Sequence, residues 1–105
     1  MAYTRLNPET SSGTPTAGQS DVSTGYNWWF RYGDIVVANA NFKDATPAAN
    51  EAVLKGFPAP SQRVAMSIVC GVDPRRMFLD TDGKLYWDNI GTNNWSQMNF
   101  SYQAS

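Results

Sequence analysis

Tyr26-Asn27-Trp28-Trp29-Phe30-Arg31-Tyr32 is followed at once by Gly33-Asp34 and then by Ile35-Val36-Val37-Ala38-Asn39-Ala40-Asn41-Phe42. Two runs rich in aromatic and β-branched residues, split by a tight turn pair, predict an antiparallel hairpin. Successive side chains of a strand point to opposite faces, so Tyr26, Trp28, Phe30 and Tyr32 share one side. Trp28 and Trp29 must then diverge. One indole stays outside the domain's own core unless another chain covers it.

The same texture continues. Arg63 to Val72 reads as a strand, with Val64, Met66, Ile68, Cys70 and Val72 on one face. Ala65, Ser67, Val69 and Gly71 on the other are small rather than polar, so neither face need meet water. Asp73-Pro74 is expected to open a turn, because proline lacks the ladder donor and restricts its predecessor. Met77-Phe78-Leu79 and Lys84-Leu85-Tyr86-Trp87, split by Thr81-Asp82-Gly83, predict a second hairpin. A loop over 88–94 leads to a last strand from Trp95 to Gln103, with Met98, Phe100 and Tyr102 facing the core. Thr46-Pro47 and Gly56 punctuate their segment as a helix would be, with an N-cap, a proline start and a glycine stop. A short helical turn near 46–55 and a loop followed by a strand both fit there. The fold class expected is all-β, a compact antiparallel sandwich or barrel-like head.

Residues 1–25 differ in composition. Thr10 to Ser20 has no hydrophobic period and is dense in turn formers, so alone it cannot offset its ordering entropy. The expected division is a flexible or attachment leader over 1–25 and a β head over 26–105. The leader holds no apolar run of the roughly 7–15 residues a signal peptide needs. No window approaches the roughly 18 apolar residues of a membrane helix. No membrane insertion is expected, and the lone thiol of Cys70 suits a reducing compartment.

The 105 residues carry a formal charge of −1, so no positive field favours nucleic acid. There is no histidine and one cysteine, which removes the commonest general base, an internal disulfide and a cysteine zinc site. No glycine pattern suits a phosphate, and no cofactor is expected. Charged residues are only 16% of the chain, below the average of about 25%. Its polar surface is therefore built mostly from Ser, Thr, Asn and Gln, which suits neutral hydrogen-bonding ligands such as sugars.

Several residue groups could carry chemistry. Asp80-Thr81-Asp82-Gly83 matches the start of a calcium loop only in part, and a hairpin turn explains the same residues. Trp28, Trp29, Trp87 and Trp95 could stack on a pyranose, or serve as core and interface residues. Asp73-Pro74-Arg75-Arg76 places two guanidiniums together, able to grip an anionic polymer or to form a solvated turn. Asp73, Asp80, Asp82 and Asp88 could supply a glycosidase pair, yet nothing in their spacing selects two of them. No enzyme is expected.

Taken in order, the segments resemble a known family. Trp29-Phe30-Arg31-Tyr32-Gly33-Asp34-Ile35-Val36-Val37-Ala38-Asn39-Ala40 resembles the opening of C-terminal head domains of phage tail fibres and baseplate receptor-binding proteins. Leu54-Lys55-Gly56-Phe57-Pro58-Ala59-Pro60 is similar to their next segment, Asp82-Gly83-Lys84-Leu85-Tyr86 to their hairpin, and Trp95 with Met98-Asn99-Phe100-Ser101-Tyr102 to their closing strand. The resemblance implies a β head that assembles as a homotrimer and recognises host-surface saccharide or cell-wall polymer without catalysis. It implies a loop and then a strand for 44–56. It places the chain in the virion, at the tail or baseplate, after synthesis in the bacterial host cytoplasm. Residues 1–25 would meet other virion proteins. Ligand contacts are expected from Trp29, Asp73, Arg75, Asp88, Asn93 and Trp95. The alternative is a structural virion component (decoration, adaptor or fibre element) with no ligand of its own.

Overall fold

A computed structural model describes residues 9–20, 22–43, 51–70, 73–87 and 95–105, with only the backbone course for 68–70, 73–75 and 87. Among the described residues ten strands follow one another: β1 (Thr10–Gly13), β2 (Thr16–Ala17), β3 (Ser23–Thr24), β4 (Trp28–Tyr32), β5 (Ile35–Lys43), β6 (Ala52–Lys55), β7 (Val64–Cys70), β8 (Asp73–Leu79), β9 (Leu85–Trp87) and β10 (Ser96–Gln103). Among the described residues there is no helix. The fold is all-β.

The strands pair in the order β1-β4-β5-β10-β7-β8-β9-β6-β2, with β3 on the free end of β5. Every pairing is antiparallel. β10 turns the corner between two layers, meeting β7 only through Ser96↔Cys70 and Gln97↔Val69. The core lies between the layers. Val36, Ala38, Ala40, Phe42 and Tyr102 come from one side, and Leu54, Met77, Leu79 and Leu85 from the other. Burying each large apolar side chain contributes roughly 1.5–3 kcal/mol. Val53 and Leu54 are both fully buried although adjacent, because the β6–β9 register slips between Ala52 and Leu54. Phe57 closes one end of the core, donating its N–H to Gly83 at 3.1 Å and packing its ring 5.7 Å from that of Phe100.

The boundary expected at residue 25 falls inside the sheet. β1 pairs with β4 on one layer and β2 with β6 on the other, so the two ends of the strand order are joined by Thr14-Pro15 alone. β3 then returns to β5, and Val22 enters the core. Residues 9–20 and 22–24 are a strap that laces the layers together. Alone the segment buries too little apolar surface to offset its ordering, but strand addition satisfies its backbone bonds on its neighbours.

Other expectations resolve similarly. The strand at Ala52–Lys55 agrees with loop-then-strand; the remainder of the helical alternative lies outside the described residues. Asp73 and Pro74 open no turn. They lie in β8, opposite Cys70 and Val69, with Pro74 beside the strand's first residue, where a missing ladder donor is tolerated. Ala65 and Ser67 are exposed, so small side chains here mark an open face rather than a second buried one. Both predicted hairpin turns form, with positive φ at Gly33 and Gly83.

Candidate functional site

The two-residue turn at Gly33-Asp34 sets Tyr32 opposite Ile35, Phe30 opposite Val37 and Trp28 opposite Asn39. Directly paired residues share a face, and this face points away from the core. Trp28, Phe30 and Tyr32 are 44%, 42% and 55% exposed, Ile35 and Val37 52% and 41%. The stripe is flanked by Thr10 and Ser12 of β1 and by Asn99, Ser101 and Gln103 of β10, all exposed. No charged side chain stands on the face over this span. An apolar centre with an uncharged polar rim is the composition of a binding surface rather than of a solvated sheet.

Asn39 and Asn41 end the stripe. The Asn41 N–H donates to Asn27 Oδ1 at 2.7 Å, and Asn27 Nδ2 donates to the Asn41 carbonyl at 2.8 Å. The Tyr26 N–H donates to Asn41 Oδ1 at 3.1 Å, and Asn39 Nδ2 donates to the Tyr26 carbonyl. These bonds fasten residues 26–27 across the strand and turn Tyr26 outward, 82% exposed. Beyond them Trp95 is 48% exposed, with the Lys43 ammonium 5.6 Å from its ring centre.

Of the expected ligand contacts, Trp29 and Trp95 have described side chains. Trp29 faces inward and packs on the core, opposite Ala38 and Gly13. A Cβ on Gly13 would lie 2.6 Å from the indole, so the strap is shaped around this ring. The outward indole of the pair is Trp28. Trp95 is exposed. The backbones of Asp73 and Arg75 lie in β8, while Asp88 and Asn93 fall outside the described residues. Sequence reasoning set Trp28, Phe30 and Tyr32 on one face but did not choose that face as the outer one. Asn39 and Asn41, alternating with the core residues Ala38, Ala40 and Phe42, carried that signal.

A second cluster lies on β7–β9. Arg63 donates to Asp80 at 3.0 Å (Nη2 to Oδ2) and 3.5 Å (Nε to Oδ1), and its guanidinium carbon sits 4.5 Å from the Phe78 ring centre. Phe78 stacks on Tyr86 at 5.2 Å. Asp82 accepts from the Lys84 N–H at 2.9 Å and from the Tyr86 hydroxyl at 2.7 Å. The residues that resemble a calcium loop thus spend their carboxylates on the turn.

The bond from Arg63, and next the Thr81 N–H, hold the Asp80 carboxyl below the ordinary aspartate range. A lowered pKa favours the charged form in the folded chain. Its stabilisation is complete above the ordinary value of about 4 and is lost as pH falls through the lowered one. Asp80→Asn should therefore unfold at lower urea than the parent at neutral pH, and the two midpoints should converge in strong acid. A gap that stays constant with pH would contradict this.

No family profile matches the sequence, and no curated protein matches it. In fold the chain is similar to the receptor binding protein of Listeria phage PSA, seen in a crystal structure. The likeness covers 94% of this chain and 67% of that one, with a TM-score of 0.68 and 11% identity.

Proposed function

We propose that the chain is a host-recognising head of a phage tail appendage, non-catalytic, that associates through the face of Trp28, Phe30, Tyr32, Ile35 and Val37. The charge-free apolar stripe carries this reading, because five large, half-exposed side chains in a row make the kind of contiguous patch that marks an interaction site. The fold likeness to a phage receptor binding protein supports the setting, at the tail of a virion. The resemblance of the sequence to tail-fibre heads implies three copies, and a surface saccharide or wall polymer as ligand. Several sites on one particle would offset weak single-site binding.

The test is co-sedimentation of labelled chain with intact cells from a panel of bacteria, before and after periodate oxidation of surface sugars. Retention on some species, lost after periodate, is the expected result. Retention on none would end the proposal, and retention that survives periodate would end its saccharide part. A structural virion component is the second reading, favoured by Ile35 and Val37, aliphatic side chains that a protein neighbour covers better than a sugar does.

A further inference from the structure

Arg63 stands where two cavities meet. β10 and β7 separate after Gln97 and Val69, and the next bond across is the Ser61 N–H to the Gln103 carbonyl at 3.0 Å. Between these ties the run Met98–Tyr102 faces the longer run Gln62–Ile68, so the ladder cannot stay in register and opens. The opening has a volume of about 370 Å³, and Gln62, Ser101 and Gln103 line it beside Arg63. Because the Gln103 carbonyl points toward Ser61, alternation along β10 aims the backbone groups of Ser101 and Asn99 at the same edge. A second cavity of about 570 Å³ continues from Arg63 over Ala65 and Ser67 to Arg76.

We infer that this groove holds an extended, uncharged saccharide chain, with Arg63 as its central donor. The inference rests on the recognition role proposed above and gives that role a site. Arg63 is fixed by Asp80 at its edge and by Phe78 beneath its plane, yet its side chain is 59% exposed. Its bonds to Asp80 use Nε and Nη2, which leaves Nη1 to donate to a ligand oxygen. Asp80 cancels its charge locally, and around it Gln62, Ser67, Ser101 and Gln103 supply neutral donors and acceptors, with Arg76 across from Ser67 at the groove's far end. Hydroxyls match such a lining better than phosphates do.

The experiment is an array of neutral oligosaccharides beside phosphate- and uronate-bearing ones, probed with the full chain at low and high salt. Binding to neutral members, unmoved by salt, is expected. Arg63→Lys keeps the charge but loses the planar fork, and with Gln62→Ala should weaken binding at least about tenfold. Both variants should stay folded at the parent's mass in solution, Gln62→Ala with the parent's melting curve and Arg63→Lys melting slightly lower because it loses one of the two bonds to Asp80. Variants that bind like the parent would overturn the site while leaving the recognition role standing. A preference for anionic members, falling with salt, would overturn the ligand class. No binding to any member would overturn the inference together with the saccharide reading beneath it.

Discussion

A chain that begins at Tyr26 should fail to fold cooperatively. It lacks β1, β2 and β3, the strands that close the two ends of the sheet order and extend β5. It also lacks Val22 from the core and uncovers Trp29, Val53 and Leu54. At roughly 1.5–3 kcal/mol for each side chain returned to water, the loss is about 5–10 kcal/mol. That rivals the whole stability of a domain this size, about 5–15 kcal/mol. Urea titration followed by near-ultraviolet dichroism should show no sigmoidal transition. Gly18→Val gives the same test within the full chain: the Gly18 N–H bonds the Val53 carbonyl at 2.8 Å, and a Cβ there would run into the Ala52 carbonyl. It should unfold well below the parent. A chain from Tyr26 that melts like the parent would return residues 9–24 to the status of a tether.

Val37→Lys should dissociate the particle without unfolding its subunits. Val37 lies opposite Phe30 on one side and Ser101 on the other, in the middle of the charge-free face, and is 41% exposed. In the isolated subunit a lysine there reaches water, and such surface changes usually move stability by no more than about 0.5 kcal/mol. In an assembly it would bury an unpaired ammonium, at a cost of several kcal/mol. Sedimentation should therefore give a single subunit whose unfolding midpoint no longer depends on protein concentration, as the parent's should. A variant that keeps the parent's mass would move the contact away from this stripe.

Much of the sheet was legible because alternation and turn chemistry are local. Gly33-Asp34 fixes the β4–β5 register, and Asp82-Gly83 the β8–β9 turn, with only neighbouring residues involved. The strap was not legible. Thr10, Ser11 and Ser12 are exposed on an edge strand, so their side chains carry no hydrophobic period, and what orders them is the backbone of Phe30 to Tyr32. The choice between Trp28 and Trp29 was legible, in the asparagines of β5, yet needed the register to be read through to Asn39 and Asn41. Arg63 gave no signal at all. It precedes a strand among ordinary polar residues, and its setting comes from Asp80 and Phe78, brought beside it by the β7–β8 pairing.

Light scattering of the intact chain, at concentrations where the subunit would be fully visible alone, bears most directly on the proposed self-association. The stripe predicts self-association, and the three copies proposed from the resemblance to tail-fibre heads predict a particle of about three times the 11.6 kDa subunit. A single species at the subunit mass, stable on concentration, would contradict it.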